Sequence, residues 1–286
     1  MTQQIDAKAV KEQQMRDWGQ AAAGWSKHYE RFHQITAPVT QRMLALARIA
    51  QGHRVLDIAC GSGQPALPAA ELVGPTGHVL ATDMAPEMLE VARERAKAQG
   101  LTNVEFRLVD GEELDVEPNS FDAVTCRWGI MFMPEPVRCL KQAHRALKPG
   151  GRIAVSVWGP PERNPFITVP MAILRKHANV PPPDPSAPGV FAFADRGRLN
   201  FTFTQAGFRD TQIEEIELTM SEFDSGHDYW RYTLEVVGPV RTLFEQLHPN
   251  LQDAAAEEIA AAASANGDAN GPVSLKGNPL FASATK

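Results

Sequence analysis

Cysteine is scarce in this chain of 286 residues: Cys60, Cys126 and Cys139, an odd number set far apart. None forms a CxxC pair, so the sequence offers neither a disulfide framework nor a thiolate zinc site. Long apolar runs are also missing, and nothing approaches the roughly 20 residues that a membrane-spanning helix needs. The opening stretch, MTQQIDAKAVKEQQMRDW, is polar and of mixed charge, without the apolar centre of a secretory signal. Basic excess is absent too. The formal charge of −6 gives no electrostatic support for nucleic acid or an anionic membrane as partner. There is no internal repeat and no clear domain linker. These absences lead to the expectation of a soluble cytoplasmic protein, alone or as a homodimer, that acts on a small molecule. Apolar residues at 43% suffice for a sizeable core.

What is present is organised around Val55 to Ala70, VLDIACGSGQPALPAA. An apolar run is broken by Gly61-Ser62-Gly63 and followed by Pro65 and an Ala/Leu-rich run. The pattern predicts a strand, a tight glycine turn and a helix. Glycine lets the backbone approach a ligand, and the helix start presents unpaired N–H groups to it.

Strands and helices then alternate. Strands are expected at 54–59, 78–83, 104–109, 121–126 and 152–158, with helices at 65–73, 87–99 and 136–147. This rhythm predicts βαβ units and a mostly parallel sheet. Before it, residues 8 to 50 read as helical. Within them Trp18, Trp25, Tyr29 and Phe32 recur near one face, either packed on the domain or forming a lid over a pocket. After Trp158 the rhythm breaks. A helix is expected at 166–178, a proline-dense loop at 180–188 and a helix at 195–206. A strand is expected at 213–220, helices at 227–247 and 251–263, a turn at 266–272 and a final strand at 280–285.

Gly61 to Ala66 fits the pattern GxGxx(G/A), which is weak by itself. Asp83 lies twenty residues after Gly63, at the end of the next strand, where a carboxylate accepts hydrogen bonds from ribose hydroxyls. Asp57 beside the turn would repel a phosphate dianion and favour a cationic sulfonium with its ammonium. Asp110, with Gly111 and Glu112 after the third strand, is suited to the adenine amino group. Arg127 and Trp128 reach the pocket rim after the fourth.

Together VLDIACGSG, ATDMAPEML, VEFRLVDGEEL, FDAVTCRWGIMFM and LKPGGRIAVSVW resemble, in order and spacing, the motifs of class I S-adenosylmethionine-dependent methyltransferases. The flavour is that of the ubiquinone/menaquinone-biosynthesis (UbiE-like) and small-molecule group. The likeness is strong over about residues 50–160, and LFASATK is similar to the family's antiparallel seventh strand. It implies a Rossmann-like, doubly wound α/β fold: a seven-stranded, mostly parallel sheet with a helical cap. Residues 1–286 would form one domain, with a lid at 1–50, a cofactor-binding core at 51–158 and substrate-side insertions at 159–286. It implies S-adenosyl-L-methionine as cofactor. Gly61 and Gly63 would run under its methionine part, Asp83 would hold the ribose and Asp110 the adenine. Met84 would pack on either, Asp57 would lie near the amino group, and Arg127 near the methionine carboxylate or the substrate. The chain departs from the family at Ala59, usually glycine, which is tolerable with a negative φ.

A hydroxyl nucleophile also needs a base. His28 and His33, with Arg127, are the candidate catalytic residues. The sequence lacks the tetrapeptide of base-amino methylation, the Pro-Cys of pyrimidine-carbon methylation, the cysteines of arsenic methylation and any metal-ligand grouping. The expectation is methyl transfer to oxygen or carbon of a small, apolar or aromatic acceptor. An NAD(P)-binding oxidoreductase and a methyltransferase-like protein without methyl transfer remain as alternatives.

Overall fold

The structure is a computed structural model that describes residues 6–185, 187–265 and 272–286. It opens with two helices, α1 (Ala7–Lys27) and α2 (Tyr29–Leu46). The alternating core follows: β1 (Arg54–Ile58), α3 (Ala66–Val73), β2 (His78–Asp83), α4 (Pro86–Ala98), β3 (Val104–Leu108), β4 (Phe121–Arg127), α5 (Pro136–Ala146) and β5 (Leu147–Trp158). Next come α6 (Pro165–Ala178), α7 (Arg196–Gln205), β6 (Arg209–Glu215), β7 (Leu218–Phe223), α8 (Gly226–Val236) and α9 (Gly238–Glu245). The chain ends with α10 (Pro249–Ser264), β8 (Val273–Gly277) and β9 (Pro279–Thr285).

Seven strands form one sheet in the order β3-β2-β1-β4-β5-β9-β6. The first five run parallel, and β9 lies antiparallel between β5 and β6. The expected fold class and antiparallel last strand are borne out. The central strands carry near-continuous apolar runs because helices cover both faces. In β1, Val55, Leu56 and Ile58 are almost fully buried. β3, at the sheet edge, has no buried residue.

Several boundaries differ from the sequence reading. The first helical stretch is two helices broken at His28, and the second ends at Leu46. The long helix expected over 227–247 is interrupted at Val237, whose extended backbone precedes the Gly238-Pro239 start of α9. The strand expected over 213–220 is two strands, β6 and β7, in different sheets. Between them Ile216 donates its N–H to the Pro279 carbonyl, and its own carbonyl accepts from the Asn278 side chain. β8, which pairs with β7, was not expected at all. Of the turn expected at 266–272, residues 266–271 lie outside the described residues.

Close helix crossings roof the sheet. A Cβ at Gly24 would sit 2.0 Å from the Glu235 carbonyl oxygen, so α1 crosses α8 with backbone against backbone. Likewise a Cβ at Gly226 would meet the Ala260 carbonyl oxygen at 1.8 Å, where α8 starts against α10.

Candidate functional site

A cavity opens at the carboxyl ends of the parallel strands. It holds about 1350 Å³ of empty space, its open mouth included. Its floor follows the sheet order. Ala59, Cys60 and Gly61 come from the turn after β1, Asp83 and Met84 from the end of β2. Asp110, Gly111 and Glu112 come after β3, Arg127 and Trp128 from β4, and Trp158 from β5. The roof is formed by Lys11, Trp18 and Trp25 of α1, Phe32 of α2, Phe166 of α6 and the Val236-Val237 junction of α8. The two ends therefore differ in chemistry. Over β2 and β3 the wall carries carboxylates, and over β4 and β5 it is aromatic.

The turn after β1 has three residues in the left-handed region: Ala59 (φ 55°), Gly61 (φ 53°) and Gly63 (φ 101°). The expected negative φ at Ala59 is thus corrected. Its methyl fits because it faces Gly129, where a Cβ would come within 2.5 Å of it. Gly61 has open space where a side chain would be, so the backbone can be approached closely from the cavity. Gly63 is not on the cavity wall. A Cβ there would strike Leu67 at 2.9 Å, so that glycine serves the packing of α3.

Asp83 anchors this turn. Its Oδ2 accepts from the Gly61 N–H (2.8 Å) and its Oδ1 from the Ala85 N–H (2.9 Å). Loss of water around the carboxyl raises its pKa, opposed by these N–H donors. The carboxylate lines the cavity, and its roughly four acceptor sites exceed the donors it has. Asp110 caps the short turn after β3, accepting from the Glu112 N–H at 2.9 Å. Its Oδ2 meets Lys11 Nζ at 2.6 Å, and the same ammonium pairs with the buried Glu112. Glu112 also accepts from the Glu135 N–H. Burial alone would lower the Lys11 pKa; the bonds and charges of the two carboxylates outweigh it and raise it. This ion pair ties α1 to the acid-lined end.

Two comparisons bear on what this arrangement belongs to. A methyltransferase-domain family model matches residues 49–168. The aklanonic acid methyltransferase DauC of Streptomyces sp. (strain C5) is 36% identical over 160 residues, 52% of this chain and 72% of that protein. The chain belongs to the S-adenosylmethionine-dependent methyltransferase family. The demethylmenaquinone methyltransferase of Listeria welshimeri is 40% identical over 111 residues, 39% of this chain and 47% of that protein. The chain therefore spans about half the length of the demethylmenaquinone methyltransferases it matches. Among solved structures, the YcgJ protein of Bacillus subtilis superposes with a TM-score of 0.56 at 19% identity, covering 86% of this chain and 97% of that one. It shares the fold.

The other sequence-derived residues fall at varied distances from this methyltransferase cavity. Asp57, expected beside the ligand's amino group, lies beneath the turn and off the wall. It is fully buried, with Oδ1 accepting from the Thr125 hydroxyl at 2.7 Å and Oδ2 unpartnered. Burial lifts its pKa to about 7, against the pull of the Thr125 hydroxyl and the Arg127 charge. Arg127 is buried at the end of β4. Its Nε donates to the Gln64 carbonyl (3.3 Å) and its Nη1 to the Thr36 hydroxyl (2.9 Å). Burial lowers its pKa to about 10, which leaves it protonated at neutral pH. Trp128 holds φ at 54°, rare for a bulky residue, and its ring stacks on Trp158 at 4.6 Å.

Neither histidine candidate lines the cavity. His28 pairs with Glu235 and lies edge-on to Tyr232. His33 stacks on Tyr29 at 5.4 Å, with a buried Nδ1 that has no partner. Of the aromatic stripe, Trp18, Trp25 and Phe32 face the cavity. Tyr29 instead turns to the Gln64 amide and the Arg95 guanidinium. Lys11 was missed, since a lone lysine on a polar helix carries no signal until the fold brings it to Asp110. Among the described residues no group of His, Cys, Asp or Glu could hold a metal ion, and no helix is long and apolar enough to cross a membrane.

Proposed function

We propose that the protein transfers a methyl group from S-adenosylmethionine to oxygen or carbon of a small, apolar or aromatic acceptor. The observation that carries this reading is the cavity itself, carboxylate-walled over β2 and β3 and aromatic-walled over β4 and β5. A cationic, adenosine-bearing molecule fits the first part, where Gly61 leaves space for close approach to the backbone and Asp83 and Asp110 offer acceptors. In this reading Asp83 bonds the ribose, Asp110 the adenine amino group, and Met84 and Gly111 flank the ring. When bound, the cofactor supplies an electrophilic methyl carbon on a sulfonium, whose sulfur keeps the bonding pair as the acceptor gains the methyl. The protein's share is alignment and exclusion of water by Trp18, Trp25 and Phe32. The whole chain acts as one such domain, with residues 1–50 as its lid.

Calorimetry with S-adenosylhomocysteine and with NAD tests the proposal. S-adenosylhomocysteine should bind and NAD should not. Asp83→Ala should weaken that binding by about 1–3 kcal/mol, the worth of a charge-assisted hydrogen-bond pair. Unchanged affinity in Asp83→Ala, or preference for NAD, contradicts the reading.

A further inference from the structure

Among the described residues, the aromatic part of the cavity contains one cation and no base. Arg127 lies there with its guanidinium carbon 4.9 Å from the Trp128 ring centre and 5.5 Å from that of Phe32. Its bonds to Gln64 and Thr36 use Nε and Nη1, both with neutral acceptors. Nη2 has no hydrogen-bond partner among the described residues, and no carboxylate there forms an ion pair with Arg127. Asp57 acts on it only at longer range. A buried cation without a contacting counter-charge carries a large desolvation cost, which an anionic ligand would offset.

The proton acceptors lie elsewhere. The carboxylates on the wall are Asp83, Asp110 and Glu112, all over β2 and β3. Lys11 occupies two of them, and the third braces the glycine turn. No histidine or tyrosine lines the cavity among the described residues. An acceptor that had to lose its proton inside the aromatic part would find no side chain among the described residues to take it.

We infer that the acceptor is bound already ionised, as a planar aromatic or conjugated anion whose charged oxygen sits on Arg127. The class comprises acidic phenols, enols and carboxylic acids, which give their proton to water before they bind. This rests on the proposed function, because the adenosine part must occupy the β2–β3 end. Arg127 then determines specificity, selecting the charge of the acceptor, while the stacked Trp128–Trp158 pair walls the space beside it.

The test uses the purified full chain saturated with S-adenosylhomocysteine and a matched pair of probes, 2-naphthoate and 2-naphthamide. Binding is read by quenching of tryptophan fluorescence and by calorimetry. The naphthoate should bind at least tenfold more tightly than the amide. In Arg127→Met that preference should vanish, while naphthamide and S-adenosylhomocysteine bind as before. Arg127→Lys should keep part of the preference and shows that a cation, not the guanidinium shape alone, is read. Naphthoate binding no tighter than naphthamide, or not at all, overturns the inference. So does an Arg127→Met protein that binds S-adenosylhomocysteine tenfold more weakly, since Arg127 would then serve the cofactor's carboxylate. Failure of the wild-type protein to bind S-adenosylhomocysteine strikes instead at the proposed function and removes the inference with it.

Discussion

Asp57 shows how one residue can be legible in type and misread in place. Its position two residues before Ala59 drew attention as a charge beside the ligand. It is enclosed instead, because β1 is a central strand covered on both faces and every residue from Val55 to Ile58 is buried. There its carboxyl has one hydroxyl donor and an empty second oxygen. The consequence is a pH dependence. A carboxyl whose folded pKa is raised from 3.8 to about 7 favours the folded state most below pH 3.8 and loses that contribution as pH rises through about 7. At pH 8 the full difference corresponds to roughly 4 kcal/mol, at 1.36 kcal/mol per pKa unit. Asp57→Asn should therefore melt higher than the native chain at pH 8, and the gap should close toward pH 4. Denaturant titrations across that range check it. Parallel curves for the two proteins would remove Asp57 as the cause. Ala59 carries a second lesson. Sequence could not show that Gly129, seventy residues on, leaves room for its methyl at positive φ.

At the scale of elements, most of β1 to β5 is readable because the strands carry apolar runs or, in β3, apolar-polar alternation, with glycine, proline or asparagine close by. The cap was not, because its boundaries depend on what it rests against. The single strand expected at 213–220 has alternation enough for one strand, but its halves pair with β9 and β8 respectively. No periodicity within the segment distinguishes two partners from one. The α1–α8 crossing is equally non-local: Gly24 looks like an ordinary helix-weakening glycine until Glu235 is seen above it. Gly24→Ala tests that contact. By helix propensity alone it would stabilise α1 by up to about 1 kcal/mol. With a carbonyl oxygen 2.0 Å from the new carbon, the helices must part, and such overpacking costs about 1–3 kcal/mol. Thermal melts should show a lower Tm, together with weaker S-adenosylhomocysteine binding because Trp18, Trp25 and Lys11 ride on the same helix. A variant that melts higher than wild type would mean that the two backbones are not in contact at Gly24.

Over the whole molecule, sheet order converts sequence motifs into a gradient of chemistry. The order β3-β2-β1-β4-β5 takes the carboxylates that follow β2 and β3 to one end and the rings that follow β4 and β5 to the other, with the glycine turn between them. The motifs could be recognised one by one in the sequence. Their lateral order comes from the parallel crossovers, and the roof comes from helices at both ends of the chain. Ligand binding should accordingly tighten segments that are distant in sequence. A ligand held between floor and roof stabilises the folded state by about 2.7 kcal/mol at one hundred times its Kd. That stabilisation should appear where the wall is built. In hydrogen exchange, S-adenosylhomocysteine should slow residues 59–64, 83–85 and 109–112 on the floor. It should also slow the α1 turns bearing Lys11 and Trp18, which sit over the acid-lined end. β6, at the opposite sheet edge, should change little. If the floor were protected while α1 exchanged as fast as before, α1 would be a packed neighbour and not a lid, and the Lys11 tie to Asp110 would be incidental to binding.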